Sequence, residues 1–215
     1  PRDAQGYAES RGKAEEELAA VIKLTEDPSN NLVLALSADE LIGAHRSGKG
    51  ALILGFQNAR ILGADVSVLD SFFDAGVRVF ALTHMGHNDF ADSSRPIYIA
   101  EQGAHEPVEE HGGLSELGRS AIKRINELGG IIDVSQLSRA ATLQVLDLSS
   151  APVIASHSNV LKIALTYQSV ILHRGALRCC PTTNKPALTR TYPSNRSLHW
   201  PVCNGLFGRR PTPQS

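Results

Sequence analysis

The segment Val77-Arg-Val-Phe-Ala-Leu-Thr-His84 carries the pattern that decides the fold, a short apolar run that ends in polar residues. The same form recurs in Ala51-Leu-Ile-Leu-Gly-Phe-Gln57, Ile131-Ile-Asp-Val-Ser-Gln136 and Pro152-Val-Ile-Ala-Ser-His157. Segments with helical periodicity separate these runs. Continuous apolar strands that alternate with amphipathic helices predict a parallel sheet covered on both faces.

The helices are predicted from apolar residues at helical spacing and from capping residues at the helix ends. They cover residues 8–26, Ser37 to about Gly48, Val68 to Gly76, residues 115–128, and Ser138 to Leu148. Two further short strands are predicted at Leu32 to Leu36 and at Tyr167 to Leu172.

The polar residues at the strand ends distinguish between two architectures, since a doubly wound sheet and a barrel both fit the alternation. Gln57, His84, Gln136 and His157 each close an apolar run, at the C-terminal end of the strand. In a (β/α)₈ barrel that end carries the active site, with groups from several strands. A complete barrel needs about 250 residues, so this chain of 215 predicts a partial, incomplete TIM barrel.

Two regions differ in character. Residues 1–160 carry the strand–helix pattern, whereas residues 161–215 hold eight Lys or Arg, no Asp or Glu, all three Cys, the one Trp and six of the eleven Pro. A linker would be rich in Gly, Ser, Glu or Lys, and a folded domain would keep hydrophobic periodicity. We therefore expect residues 161–215 to be a disordered, non-homologous basic tail, translated out of frame. Reading the coding DNA in the other two frames from codon 160 would test this.

Composition excludes several classes of protein. No stretch approaches 18 apolar residues, so no transmembrane segment is predicted. The basic residues of the tail are scattered singly, which argues against a nucleic-acid partner.

The segment Gly43–Lys49 has the spacing of a phosphate-binding loop, but it ends a helix and Gly50 stands where a hydroxyl is needed. The chain starts at Pro1, which predicts an N-terminally truncated product whose localisation is unknown.

His84 and His157 are the sharpest candidate site residues. A strand-end histidine can bind a metal or a substrate through one nitrogen while the other donates a hydrogen bond. The alternative is a hydrogen-bonded structural residue. The loop histidines His87, His105 and His111 are expected to be solvated.

Five segments then stand in a distinctive order: Leu54-Gly-Phe-Gln-Asn58, Ala81-Leu-Thr-His-Met-Gly-His-Asn-Asp-Phe-Ala-Asp-Ser93, Gly113-Leu-Ser-Glu-Leu-Gly118, Ile132-Asp-Val-Ser-Gln-Leu-Ser138 and Ala151-Pro-Val-Ile-Ala-Ser-His-Ser158. In order and spacing they resemble the membrane (renal) dipeptidases over residues 10–160. The resemblance implies a (β/α)₈ barrel with two zinc ions that hydrolyses dipeptides or related small amides. It leaves a homodimer open.

Carried over by position, the resemblance implies a depleted metal site. His84 falls on the histidine that contacts the substrate, and His157 on a metal ligand. Gln57 stands where the family has a bridging glutamate, and Gln136 where it has a histidine ligand. The family's His-x-Asp pair lies on a strand before this chain, and the Arg and Asp that follow the His157 strand have no counterpart here.

These replacements change the expected chemistry. A neutral amide has one good oxygen and no charge to offset two cations, and a catalytic zinc needs three protein ligands plus water. We therefore expect a metal-dependent dipeptidase by descent that is inactive as this chain. The alternative is a degenerate barrel relative that binds a small ligand or partner without metal.

Overall fold

In the computed structural model of the chain, residues 2–160 and 169–170 are described. The helices of this part are α1 (Ala4–Glu26), α2 (Ala38–Arg46), α3 (Val68–Asp74), α4 (Glu116–Leu128) and α5 (Arg139–Leu148). The strands are β1 (Leu32–Leu34), β2 (Gly50–Leu52), β3 (Leu54–Phe56), β4 (Val77–Ala81), β5 (Tyr98–Ile99), β6 (Ala104–His105), β7 (Ile131–Asp133), β8 (Asn159–Val160) and β9 (Ser169–Val170).

The strands that follow one another along the chain also lie beside one another. β1 pairs with β2 in parallel, and β3, β4 and β7 form a parallel sheet in that order. A parallel bridge from Asp133 to Ile154 adds the next strand position. Sequential parallel strands connected by helices form the wall of a (β/α) barrel.

The run predicted as one strand from Ala51 to Phe56 is divided in the structure. Its first half, β2, pairs with β1, and its second half, β3, pairs with β4. Ile53 lies between the halves and is 46% exposed. The division arises because the two halves pair with different neighbours, which the apolar pattern alone does not specify.

The core lies between the sheet and helices α3, α4 and α5. Phe56 packs edge-on against Phe72 and Phe80, with ring centroids 5.7 and 5.2 Å apart. On α4, Ala121 and Ile125 are fully buried. Burial of such side chains stabilises the fold by roughly 25 cal/mol per Å² of apolar surface. The opposite face of the sheet is open, and Gly55, Val79 and Ala81 line a cavity there.

Caps fix the ends of several helices. α1 begins at Ala4, earlier than predicted, because the Asp3 carboxylate accepts a hydrogen bond from Gly6 N. Ser37, Ser115 and Ser138 cap α2, α4 and α5 in the same way. The segment resembling a phosphate-binding loop is the end of α2 and a turn at Gly48, with φ of 72°, that leads into β2.

The predicted tail lies almost entirely outside the described residues. Within it, β9 falls inside the strand predicted at residues 167–172 and pairs in parallel with β8. Among the helices that the structure describes, none has the length and apolar character needed to cross a bilayer.

Candidate metal centre

Three of the strand-end residues predicted from the sequence meet at one edge of the sheet. Gln57 follows β3, Gln136 follows β7, and His157 follows the strand position at Ile154. Gln57 Nε2 lies 2.9 Å from Gln136 Oε1 and 2.7 Å from His157 Nε2. Gln57 therefore hydrogen-bonds to both of the other side chains, and we refer to Gln57, Gln136 and His157 as the amide–imidazole triad.

His157 is held from its other side by two polar residues. Its Nδ1 lies 2.7 Å from Ser156 Oγ, and Ser156 Oγ in turn donates a short hydrogen bond to Asp133 Oδ2. Asp133 is 4% exposed, and its Oδ1 accepts from the backbone N–H groups of Ser135 and Ser156. The carboxylate thus anchors the whole arrangement. Asp133 and Ser156 were not assigned roles from the sequence, although an Asp inside an apolar strand is itself a signal of a functional face.

Gln136 has an unusual backbone. Its φ is +65°, in the left-handed region that residues other than Gly rarely adopt. Its carbonyl oxygen accepts hydrogen bonds from Ser94 N at 2.8 Å and from Thr83 Oγ1 at 2.9 Å, and these bonds hold the conformation. As a result the Gln136 side chain, only 2% exposed, is aimed at Gln57.

The donor chemistry of the triad does not fit a zinc centre. Zinc is held by thiolate, imidazole nitrogen or carboxylate oxygen, and within residues 2–160 and 169–170 no three His, Cys, Asp or Glu side chains converge to hold a metal ion. Gln57 presents a nitrogen that carries hydrogens, and the Asp133 carboxylate is occupied by its own donors. The described side chains therefore do not present the ligand set of a dinuclear zinc centre.

His84 lies apart from the triad. It follows β4 and is half-buried; its backbone carbonyl accepts a hydrogen bond from Ser93 Oγ, whereas its imidazole makes no hydrogen bond within the described residues. With Gln57 and Asn58 it lines a cavity of about 450 Å³ whose walls are otherwise mainly apolar. A free imidazole beside two amides can donate to or accept from a small polar ligand.

The loop between β4 and α4 is organised around a buried carboxylate, Asp92. Its oxygens accept hydrogen bonds from the backbone N–H groups of Glu110, His111 and Gly113 at 2.8–3.1 Å. Burial by itself would raise the pKa of Asp92, but these three donors outweigh it and hold the pKa below its ordinary value. The loop is therefore fixed by a charge that sequence periodicity does not reveal.

The expectation that all three loop histidines are solvated was wrong for His87. His87 is 5% exposed: its Nδ1 accepts from Ser93 N, and its Nε2 lies 2.7 Å from the Pro107 carbonyl. His111 is half-buried, with Nε2 2.8 Å from the Asn88 carbonyl oxygen, and His105 is exposed as expected. The imidazoles of His87 and His111 both hydrogen-bond to backbone groups of the loop, and these contacts hold them inside the protein.

The start of α1 is attached to the same loop, in an arrangement that we call the N-terminal clamp. Arg2 Nη1 donates to Glu110 Oε1 at 2.6 Å, and this bond is the main reason that the pKa of Glu110 lies below its ordinary value. Tyr7 donates a short hydrogen bond to Asp89. Burial, and then this bond, raises the pKa of Tyr7 to about 12.

Comparison with known proteins connects this arrangement to one family. The sequence profile of the family described as Membrane dipeptidase (Peptidase family M19) matches residues 1–170. The chain is 34% identical to Dipeptidase tcpJ of Claviceps purpurea over 151 residues, which are 70% of this chain and 33% of that relative. It is 36% identical to Dipeptidase aclJ of Aspergillus oryzae over 115 residues, which are 54% of this chain and 25% of that relative.

Solved structures show the same architecture. The probable dipeptidase PvdM from Pseudomonas aeruginosa superposes with a TM-score of 0.70 at 37% identity, over 76% of this chain and 40% of that one. A metallo peptidase from Rhodobacter sphaeroides, liganded with a phosphinate mimic of the dipeptide L-Ala-D-Ala, has the same fold, with a TM-score of 0.59 at 21% identity over 70% of this chain and 41% of that one. The predicted partial barrel is confirmed. The chain spans a quarter to a third of the curated relatives that it matches.

Proposed function

The chain belongs to the membrane dipeptidase family, a family of metallopeptidases, and from that premise we propose that it descends from an enzyme that hydrolyses dipeptides with metal-activated water, without catalysing that reaction itself. Two zinc ions are the metals we propose for the ancestral site. His84 is the residue that we propose contacts the substrate. We also propose that residues 161–215 form no part of the barrel, a region of which residues 169–170 alone are described.

The observation that carries the proposal is that the side chains of the amide–imidazole triad hydrogen-bond within the triad, through Gln57. A metal-bound water becomes a nucleophile near neutral pH only when a cation lowers its pKa to about 7. Such a cation needs about three protein ligands with lone pairs or charge directed at it. In this chain the Gln57 amide nitrogen lies between the other two side chains, 2.9 Å from Gln136 Oε1 and 2.7 Å from His157 Nε2, the single imidazole nitrogen that faces it.

The test is dipeptide hydrolysis by the purified full chain, with Zn²⁺, Mn²⁺ or Co²⁺ added and with a chelator as the blank. We expect no release of free amino acids above the blank with L-L and L-D dipeptides. Metal-dependent hydrolysis that disappears in His157→Ala and persists in His45→Ala would contradict the proposal, because His45 is an exposed histidine on α2. Sedimentation of the same samples tests the homodimer that the family resemblance leaves open.

A second function, binding of a small amide or peptide without metal, is favoured by the cavity beside His84. That cavity of about 450 Å³ combines apolar walls with the free imidazole and the amides of Gln57 and Asn58, which is the usual character of a small-molecule site. Calorimetric titration of dipeptides into the chain, with chelator present, tests it. Binding should weaken in His84→Ala and stay unchanged in His45→Ala. Absence of heat at millimolar dipeptide would remove this function.

A further inference from the structure

The direction of each hydrogen bond around His157 follows from the Asp133 carboxylate. A carboxylate can only accept, so Ser156 Oγ must donate its single hydrogen to Asp133 Oδ2. Ser156 Oγ then has no hydrogen left for His157, and His157 Nδ1, 2.7 Å away, must be the donor. The imidazole therefore carries its hydrogen on Nδ1.

The hydrogens of the Gln57 amide are placed by the neutral imidazole of His157 and by Gln136. With hydrogen on Nδ1, His157 Nε2 presents a lone pair, and the atom 2.7 Å from it must be a donor, which identifies it as the amide nitrogen of Gln57. The second hydrogen of that nitrogen is directed to Gln136 Oε1 at 2.9 Å. Both hydrogens of Gln57 Nε2 are thus used, and both acceptors that face it are satisfied.

From this we infer that Gln57 is the residue that excludes a metal ion from the centre, because its carboxamide occupies the Nε2 lone pair of His157. This inference rests on the proposed function and deepens it. A cation that approached the triad would meet two N–H groups instead of a carboxylate. Asp133 and Ser156 are positioning residues in this account, since they fix the tautomer that makes Nε2 an acceptor.

The inference distinguishes the two glutamines. Gln57→Glu replaces a double donor with an acceptor that carries a negative charge, so that the carboxylate, Gln136 Oε1 and His157 Nε2 become three acceptors facing one space. A divalent cation would satisfy all three. Gln136→His adds a nitrogen ligand but leaves the Gln57 amide on His157. A single substitution at Gln57 should therefore admit a metal, and one at Gln136 should not.

The experiment measures Zn²⁺ affinity by calorimetry, and Co²⁺ binding by visible absorption, on the full chain and its variants. We expect Gln57→Glu to bind Zn²⁺ at least about tenfold more tightly than the wild type. In the wild type, binding must first break the hydrogen bond between Gln57 and His157, and the free energy of one hydrogen bond corresponds to about that factor. Gln136→His should stay near the wild type. The control Gln102→Glu adds the same charge at an exposed position outside the cavity and should bind no better than the wild type.

A second measurement keeps the inference testable if Gln57→Glu fails to fold. Long-range ¹H–¹⁵N spectra of the histidine-labelled wild type should show His157 with hydrogen on Nδ1 and a lone pair on Nε2, and Ser156→Ala should remove that preference. A wild-type His157 with hydrogen on Nε2, or Zn²⁺ affinities equal in the wild type and a folded Gln57→Glu, would overturn it. Either result leaves the proposed inactivity standing, whereas metal-dependent hydrolysis by the wild type would overturn the proposed function instead.

Discussion

Replacement of Asp92 by alanine should release the loop that borders the strand ends. The side chain is fully buried and accepts hydrogen bonds from the backbone N–H groups of Glu110, His111 and Gly113. A hydrogen bond to a charged group contributes about 1.5–3 kcal/mol, and the loss leaves three buried donors without a partner. The summed cost is at least about 3 kcal/mol, even if water reaches some of the freed donors.

Hydrogen exchange of the individual amides measures this directly. A change of about 3 kcal/mol in the opening free energy corresponds to roughly a hundredfold faster exchange, so we expect that increase at the amides of Glu110, His111 and Gly113 in Asp92→Ala. The amide of Ile125, inside α4, should keep its rate. Asp147→Ala is the matched control, since Asp147 is exposed on α5.

The prediction depends on the carboxylate as the organising group of the loop. If the three amides exchange less than about fivefold faster in Asp92→Ala, the change in free energy is below about 1 kcal/mol. The loop would then be held by its other contacts, and the argument from the buried charge would be refuted.

The charge of Asp92, the close packing at Gly118 and the exposed isoleucines of the sheet can each be tested. Because the pKa of Asp92 is lowered in the folded chain, its stabilisation of the loop is present at pH above about 4 and is lost as pH falls through the lowered value. Protection factors of the loop amides, which are exchange rates corrected for the intrinsic effect of pH, should therefore fall in acid, and protection that stays constant down to about pH 2 would contradict this. In Gly118→Ala the new Cβ would lie 2.0 Å from the Phe90 carbonyl oxygen, so exchange across α4 should accelerate strongly, whereas Gly12→Ala, with open space around it, should leave α4 unchanged. Ile131 and Ile154 pair with Val79 and Asp133 of the open sheet face and are 36% and 37% exposed, so the chain should associate and bind hydrophobic dyes, and a monomer with a sharp thermal transition would contradict that.

The sequence was sufficient to predict the partial barrel because the alternation of apolar strands and amphipathic helices can be recognised locally along the chain. Apolar runs that end at Gln57, Gln136 and His157 placed these residues on one edge, since parallel strands bring their C-terminal ends together. The contacts between the residues were not predictable. Whether Gln57 meets His157 through its oxygen or its nitrogen depends on Asp133 and Ser156, which act through a chain of hydrogen bonds that crosses three strands.

In the loop between β4 and α4, residue types gave a wrong prediction for one histidine. Its polar composition indicated solvated histidines, yet His87 is buried because Ser93 N and the Pro107 carbonyl need partners inside the protein. Backbone donors of this kind have no signature in residue types. The short hairpin of β5 and β6 was missed for a related reason, since two-residue strands carry too little periodicity to detect.

The N-terminal clamp has a consequence for the order in which the chain can acquire its structure during synthesis. Arg2 and Glu110 are 108 positions apart, so the contact between them cannot form until the ribosome has extended the chain by that distance. At about 5–20 residues per second, that interval lasts roughly 5–20 s. During that interval Arg2 has no carboxylate partner, whereas Arg11 of the same helix can already reach the carbonyl oxygens of Ile61 and Leu62. The helix can therefore dock on the barrel before the clamp forms, and the clamp closes as a late step.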